Sequence, residues 1–375
     1  MTPGYFLYHS IGQYPEKATE MSAALAEYAE VWAADDDSQW PRVLERRAEF
    51  IALWEALINA PKGSLTTADN VTSALYSLIG SLPEDRLRGK RVLVTADCFP
   101  SLHFLLAGLA ERFGFTLDTV PLRQGETWVR DEDILDSWGP DVGLALLTFV
   151  TSTASWRCDL AGLTAHGQAM GSLVVHDLTQ GIGIIPYSLT DFTPDAAVST
   201  SLKWLCGASG AGVLQVRPDL IPELRPELRG WFSQPDPFAW DLDGFTYAPD
   251  VRRFDHGTPS VIAALASVPA LRWHATQDKA AMLAHNRALQ TQIVVGADAL
   301  GLPLAGPEQE ARRGGSVMLR LPEGTDTSAM INEFRGRGVH TDCRGLTLRL
   351  SPGIITAEEH VEYLLSSLEE ILIIH

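Results

Sequence analysis

Lys203, in Ser199-Thr200-Ser201-Leu202-Lys203-Trp204, and Asp177, 26 residues upstream at the end of Leu173-Val174-Val175-His176-Asp177, form a pair whose types and spacing suit one chemistry. A lysine amine condenses with an aldehyde to give a Schiff base. A carboxylate facing a pyridine nitrogen keeps that nitrogen protonated. Together they suit pyridoxal phosphate, whose ring then accepts electrons from a substrate carbanion. An apolar strand ending in an acid supplies the geometry, because ligands of open α/β sheets bind outside the carboxyl ends of the strands. The lysine is followed by Gly207-Ala208-Ser209-Gly210-Ala211-Gly212. That spacing, Gly-x-x-Gly-x-Gly after a turn, is not the dinucleotide fingerprint that opens a first helix, so a Rossmann dehydrogenase is disfavoured. The lysine-containing phosphate-loop motif is absent.

Because free histidine titrates near neutrality, His9, His103, His176 and His256 are weighed as general bases. His103, one turn into a helix beside Phe99, is the one placed to stand near the ring, and the others read as structural. No two histidines stand at i and i+4 with a carboxylate, so a metal site is not expected.

The elements that must position these residues emerge from periodicity. Apolar residues recur at helical spacing from Lys17 to Ala34 and from Trp40 to Ala60. The polar run from Thr66 to Ser73 opens a further helical pattern through Leu82, and its small polar residues suit a helix N-terminus that attracts anions. Strands and helices then alternate: Arg91 to Thr95, helix Ser101 to Phe113, Thr116 to Val120, helix Asp131 to Ser137, Val142 to Thr148, helix Leu160 to Met170, and Ser172 to His176. This rhythm implies a mostly parallel sheet. Ala196 to Ser199 and Gly212 to Val216 continue it, with Lys203 in the turn between them. Pro218 to Pro259 shows little periodicity, which in a compact chain points to loops lining a site or an interface. Helices from about Ser260 to Leu300 lead to a smaller α/β unit with strands at Ser316 to Leu321, Gly338 to Asp342 and Leu346 to Leu350, closed by a helix from Ala357 to Leu372.

At 375 residues, 46% of them hydrophobic, the chain can bury one large core and a smaller one. The expected division is an N-terminal segment over residues 1–40 packing with the small domain, a large cofactor-binding domain over 41–260, and a small C-terminal domain over 261–375. A formal charge of −18 argues against nucleic acid or an anionic membrane as partner. No stretch approaches the roughly 20 apolar residues of a membrane span. Cys98, Cys158, Cys206 and Cys343 are widely spaced, which suggests neither a zinc knuckle nor a disulfide framework. The expectation is a cytoplasmic protein with reduced thiols, acting on a small molecule and pairing with a second copy of itself.

Taken together, Asp177, Lys203, Gly230-Trp231-Phe232 and Phe254-Asp255-His256-Gly257-Thr258-Pro259 give the chain a resemblance to the kynureninases, within the class V aminotransferase group of fold type I pyridoxal-phosphate enzymes. The similarity runs from Phe6-Leu7-Tyr8-His9-Ser10-Ile11-Gly12, which looks like that family's opening motif, to Arg349 in Leu346-Thr347-Leu348-Arg349-Leu350-Ser351-Pro352. It implies an α/β fold whose large domain holds a mostly parallel seven-stranded sheet, and a homodimer with the site at the interface. It also implies residue roles. Phe99 stacks on the cofactor ring, Asn70, Val71 and Thr72 hold its phosphate, and Asp177 pairs with the ring nitrogen. Trp231 and Thr258 lie near the phosphate, Thr258 from across the dimer. Thr151 and Gln180 stand beside the ring. Arg349 binds the substrate α-carboxylate, with Ser10 and His103 nearby. An arginine fork suits bidentate carboxylate recognition, and a flat aromatic face suits a pyridine ring.

The departures bear on the substrate. Leu202 stands where kynureninases place a tyrosine before the lysine, Leu102 replaces an expected aspartate, and Thr151-Ser152-Thr153 replaces an Asn-Tyr-Arg stretch. Asp177-Leu178-Thr179-Gln180 looks more like the Asp-x-x-Gln of cysteine desulfurases and related C–S lyases than the kynureninase Asp-x-x-His. The expected activity is side-chain cleavage of an α-amino acid at Cβ. The alternatives are C–S lyase or aminotransferase chemistry, and a binding or regulatory relative that has lost turnover.

Overall fold

The computed structural model describes residues 4–374. Strand β1 (Gly4–Tyr5) precedes two long helices, α1 (Lys17–Trp32) and α2 (Gln39–Ile58). They are followed by β2 (Leu65–Ala68), α3 (Val71–Ile79) and a single turn, α4 (Glu84–Leu87). Then come β3 (Arg91–Thr95), α5 (Pro100–Phe113), β4 (Thr116–Val120), α6 (Asp131–Ser137), β5 (Val142–Thr148), α7 (Leu160–Met170), β6 (Leu173–Asp177), α8 (Leu189–Phe192), β7 (Ala196–Thr200) and β8 (Gly212–Val216). An irregular stretch with single 3₁₀ turns comes next. The chain ends with α9 (Ile262–Thr276), α10 (Lys279–Ala299), β9 (Val317–Arg320), α11 (Thr327–Gly336), β10 (Val339–His340), β11 (Asp342–Arg344), β12 (Thr347–Leu350) and α12 (Glu358–Ile374).

Seven strands form the main sheet in the order β2-β8-β7-β6-β5-β3-β4. The central pairs are parallel, and β8 runs antiparallel to both of its neighbours. Because β3 has β4 on one side and β5 on the other, the chain reverses its direction of travel across the sheet there. The crevice outside the carboxyl ends of β3 and β5 is therefore where such a sheet binds ligands. Both faces of the central strands are covered, so β5 and the middles of β3 and β6 are largely apolar and their successive residues point to opposite cores. Val92, Val94, Leu144, Leu146 and Val175 meet Leu75, Leu78 and Leu106 on one side. Leu93, Ala145, Leu147 and Val174 meet Phe50, Trp54, Trp138 and Leu163 on the other.

A separate core gathers Leu289, Ile293, Leu319, Phe334, Leu348, Leu350, Leu364 and Leu368 around the three-stranded sheet β11-β12-β9. Phe6, from the start of the chain, is buried in the same core, and β1 adds to it by parallel pairing with β10.

Two elements differ from the sequence reading. Thr66, Thr67 and Ala68 do not open a helix. They form β2 against β8, and the helix begins at Val71 and stops at Ile79 before Gly80. The reason lies in α2: the Arg47 guanidinium donates to the hydroxyls of Thr66 (3.0 Å) and Thr67 (2.9 Å), which an extended strand presents to it. The strand expected over 338–342 breaks at Thr341, whose hydroxyl donates to Arg349 O at 2.7 Å. Residues before the break pair with β1, and residues after it pair with β12.

Candidate active site

A cavity of about 640 Å³ opens at the carboxyl ends of the strands, lined by Asn70, Val71, Thr72, Phe99, Asp177, Gln180 and Lys203 among others. Lys203 sits in the β7–β8 connection. That loop is gripped by Gly12 N donating to Leu202 O (3.0 Å), Trp54 Nε1 to Ser201 Oγ (3.0 Å), Cys206 N to Lys203 O (2.8 Å), and a His274 Nε2 contact with Trp204 O (2.7 Å). A Cβ on Gly12 would overlap the Lys203 carbonyl, so only glycine allows the N-terminal segment to run this close. Lys203 Nζ lies 5.3 Å from the centroid of the Phe99 ring. Burial lowers its pKa to about 8, with Asp177 pulling the other way and Arg349 adding to the fall.

Asp177 is the last residue of β6, in register with Thr148 of β5 and Val198 of β7. It is buried, and its Oδ1 accepts from Thr179 N at 3.0 Å. Burial raises its pKa, against the hydrogen bonding of Thr179 and the charge of Lys203. Beside it, Thr148 Oγ1 is buried without a hydrogen-bond partner among the described residues and lines the cavity. At the opposite end, α3 presents its N-terminus. Asn70 caps that helix by accepting from Ser73 N at 2.9 Å, so its side-chain oxygen is committed there, while the Val71 and Thr72 N–H groups remain directed outward. Ser209 and Gly210 line the same end.

These residues fit pyridoxal phosphate. They provide an amine for its aldehyde, an under-partnered buried acid for its ring nitrogen, an orphaned hydroxyl, an aromatic face, and a helix N-terminus for its phosphate.

Not every expected residue reaches the cavity. Thr151 is buried in its own turn, its Oγ1 accepting from Trp156 N at 3.1 Å, while Val150 and Ser152 on either side form the wall. Ser10 N donates to Leu7 O in a turn at 2.8 Å, and Ser10 does not line the cavity. His103 faces β4, its Nε2 3.1 Å from Thr119 Oγ1. His176 points away from the cavity between Thr164 and Tyr187, where burial lowers its pKa to about 3 and keeps it neutral. Trp231 packs among Trp40, Phe232 and Phe238, and Thr258 is placed elsewhere. Arg349 lies just behind the wall, Nη1 donating to Ser152 O at 3.2 Å. Gln180 does reach the cavity, and its Nε2 donates to His9 O at 3.0 Å. Sequence reasoning misses Thr148, although it obeys the same strand-end rule that finds Asp177. Ser209 and Gly210 belong to the glycine run, but their place in the wall is set by the β7–β8 loop.

A buried acid and a lysine in one crevice of a seven-stranded, mostly parallel α/β sheet match the arrangement of the pyridoxal-phosphate enzymes of fold type I. In agreement, a C-DES mutant with glycine covalently linked to its PLP cofactor matches with a TM-score of 0.86 at 20% identity, over 98% of this chain and 96% of that one. Kynureninase from Deinococcus radiodurans is 27% identical over 348 residues, spanning 88% of this chain and 82% of the relative. Isopenicillin N epimerase from Streptomyces clavuligerus is 27% identical over 338 residues, spanning 84% of each. The aminotransferase class-V family model matches residues 49–345, and the chain belongs to that family. It is a pyridoxal-phosphate-dependent enzyme of that family.

Proposed function

We propose that this enzyme cleaves the side chain of an α-amino acid at Cβ, in the manner of a kynureninase, with Lys203 as the cofactor lysine and proton carrier. The observation that carries the reading is Lys203 Nζ, 5.3 Å from the Phe99 ring, in a cavity that Asp177 also lines. When bound, pyridoxal phosphate supplies an electron sink for the pair left at Cα.

The rest falls to the chain's own groups. With its pKa lowered to about 8, a useful fraction of the Lys203 amine is unprotonated near neutral pH and nucleophilic, and the same Nζ then accepts the proton leaving Cα. Asp177 would face the ring nitrogen, where a cation relieves the cost of its buried charge. Phe99 would cover the ring face. The N–H groups of Val71 and Thr72 would hold the phosphate with Ser209 and Gly210, while Asn70 shapes that helix end. Gln180, with one amide N–H on His9 O, has a second for the ring's phenolic oxygen. Arg349, whose Nη1 donates to Ser152 O at the wall, is the group for the α-carboxylate. The Trp231–Thr258 segment lies at the interface of a homodimer, which the exposure of Phe238, Trp240 and Leu242 supports.

Similarity to a kynureninase over most of the chain supports hydrolytic cleavage, in which one water is consumed and alanine leaves with the side-chain fragment as an acid. Gln180 supports a second reading, cleavage of a Cβ–S bond. The test is incubation of the purified holoenzyme with a panel of amino acids, following its visible spectrum and assaying alanine, pyruvate, ammonia, sulfide and anthranilate. Alanine plus a carboxylic acid is expected. Sulfide, or pyruvate with ammonia, would move the assignment to the second reading. Stoichiometric conversion to an oxo acid with an intact side chain would overturn both.

A further inference from the structure

Asp342 and Arg349 face each other across β11 and β12, whose register pairs them directly. Asp342 Oδ1 accepts from Arg349 Nε at 2.8 Å and Oδ2 from Nη2 at 2.5 Å, while Nη1 donates to Ser152 O at 3.2 Å. Of the five N–H groups of a guanidinium, one on each Nη is left. Asp342 Oδ1 is also 3.1 Å from His9 Nε2, and His9 Nδ1 is 2.6 Å from Ser351 Oγ. The backbone oxygen of the same His9 accepts from Gln180. Gln180 and Ser152 both line the cavity, so hydrogen bonds, joined within His9 by its own backbone-to-ring connection, link one to the other behind its wall through His9, Asp342 and Arg349.

The charges in this chain are fixed. Burial alone would raise the Asp342 carboxyl, but the hydrogen bonds of His9 and Arg349 outweigh it and hold it well below the ordinary range. Burial lowers His9. At neutral pH the unit is therefore a neutral imidazole, a carboxylate and a guanidinium. Asp342 can play one of two parts: it competes with a substrate carboxylate for the arginine, or it holds the arginine for that carboxylate. The geometry separates them. Asp342 occupies the Nε edge of the fork, and Nη1 is already directed at the Ser152 wall, so the Nη tip is the part left to meet a ligand.

We propose that Asp342, braced by His9, is the positioning residue of Arg349. It grips the Nε edge so that the Nη tip meets the α-carboxylate of the substrate. The inference rests on Arg349 as the carboxylate clamp and adds what aims it. The test is spectral titration of the holoenzyme with the panel amino acid that gives the largest shift, and with its α-carboxamide, in the wild type, Arg349→Ala, Asp342→Ala and the double variant. Asp342→Ala is expected to weaken binding of the acid by about tenfold while leaving the amide unchanged, because a misaimed fork loses the carboxylate alone. On the Arg349→Ala background it is expected to cost nothing further. Asp342→Asn, which keeps an oxygen for Nε, should recover part of the loss, and it carries the same comparison if the alanine variant fails to fold. Loss of the acid preference in Arg349→Ala but not in Asp342→Ala would overturn the positioning role alone, as would tighter binding of the acid in Asp342→Ala. An unchanged preference in Arg349→Ala, or a wild-type spectrum that no amino acid shifts, would overturn the clamp and this inference together.

Discussion

The floor of the cavity and its far wall are built in opposite ways. The floor comes from consecutive turns of one sheet: Phe99 after β3, Thr148 at the end of β5, Asp177 at the end of β6 and Lys203 after β7. Thr148 and Asp177 are strand residues whose height is fixed by register, while Phe99 and Lys203 follow in short connections, that of Lys203 held by Gly12, Trp54 and His274. The wall behind Ser152 joins His9 to Asp342, 333 residues away in sequence, through a two-residue strand pairing and a parallel bridge between Leu7 and Ser351. Sheet topology delivers Asp177 and brings the chain to the turn that carries Lys203. Positioning at the wall depends on closing both ends of the chain over it, and contacts that close longer stretches of chain carry more of the entropy cost.

The largest effects are expected at the floor. Lys203→Ala is expected to abolish the visible cofactor band and all measurable turnover, because no other lysine among the described residues lines the cavity. Retained multiple turnover would show that the floor is not the reactive surface. Asp177→Asn should reduce turnover by roughly 10³-fold, and it should also move stability the other way. The folded pKa of Asp177 is raised by burial, so the unfolded chain ionises first. The penalty sets in as pH climbs through the ordinary carboxylate range and is complete above the folded pKa. Removing it should raise the apoprotein Tm at pH 7 and change little near pH 3. A lower Tm at pH 7 would contradict the cost assigned to that buried charge.

A third effect tests a buried pair that serves neither surface. Arg47 on α2 holds Asp255 of the irregular segment at 2.7 Å, with both side chains nearly enclosed and Thr66 Oγ1 donating to Asp255 at 2.5 Å. Arg47→Ala leaves an ionised acid buried without its partner, which costs about 3–5 kcal/mol. Urea unfolding of the apoprotein would measure it. A loss below about 1 kcal/mol would mean that water reaches Asp255.

Legibility in the sequence divides along the same line. Strand alternation and the Asp177–Lys203 spacing are readable because each rests on local periodicity and on a rule about strand ends. Strand β2 is not, because Thr66 and Thr67 owe their extended form to a guanidinium on a distant helix. Resemblance singles out Arg349 but gives no hint of Asp342, since an acid seven residues before an arginine means nothing until a hairpin pairs them. Thr151 and His103 show the converse: residue type suggests a role, and local bonds to Trp156 N and Thr119 turn each side chain elsewhere.

A smaller effect sharpens the electrostatics of the floor. With Lys203 lowered to about 8, the rate at which apoprotein takes up pyridoxal phosphate should rise with pH through a midpoint near that value, as the amine loses its proton. Asp177 favours the protonated amine, so Asp177→Asn should move the midpoint to lower pH. Stopped-flow absorbance across about pH 6 to 10 would show it, and a midpoint unmoved by the substitution would mean that the two charges do not interact across the cavity.

The smallest expected change in folding lies farthest from either surface. Trp240 is 78% exposed and Leu242 95% exposed, so neither contributes to the core of a single chain. Trp240→Ser should therefore alter unfolding of the isolated chain by less than about 0.5 kcal/mol. Large apolar side chains left this open on one segment are the anchors that a second copy would cover, and burying a tryptophan is among the largest single contributions to an interface. Sedimentation velocity over a dilution series should show wild-type dimers persisting at concentrations where Trp240→Ser has dissociated. If both dissociate together, the irregular segment does not lie at the subunit contact, and the placement of Thr258 there falls with it.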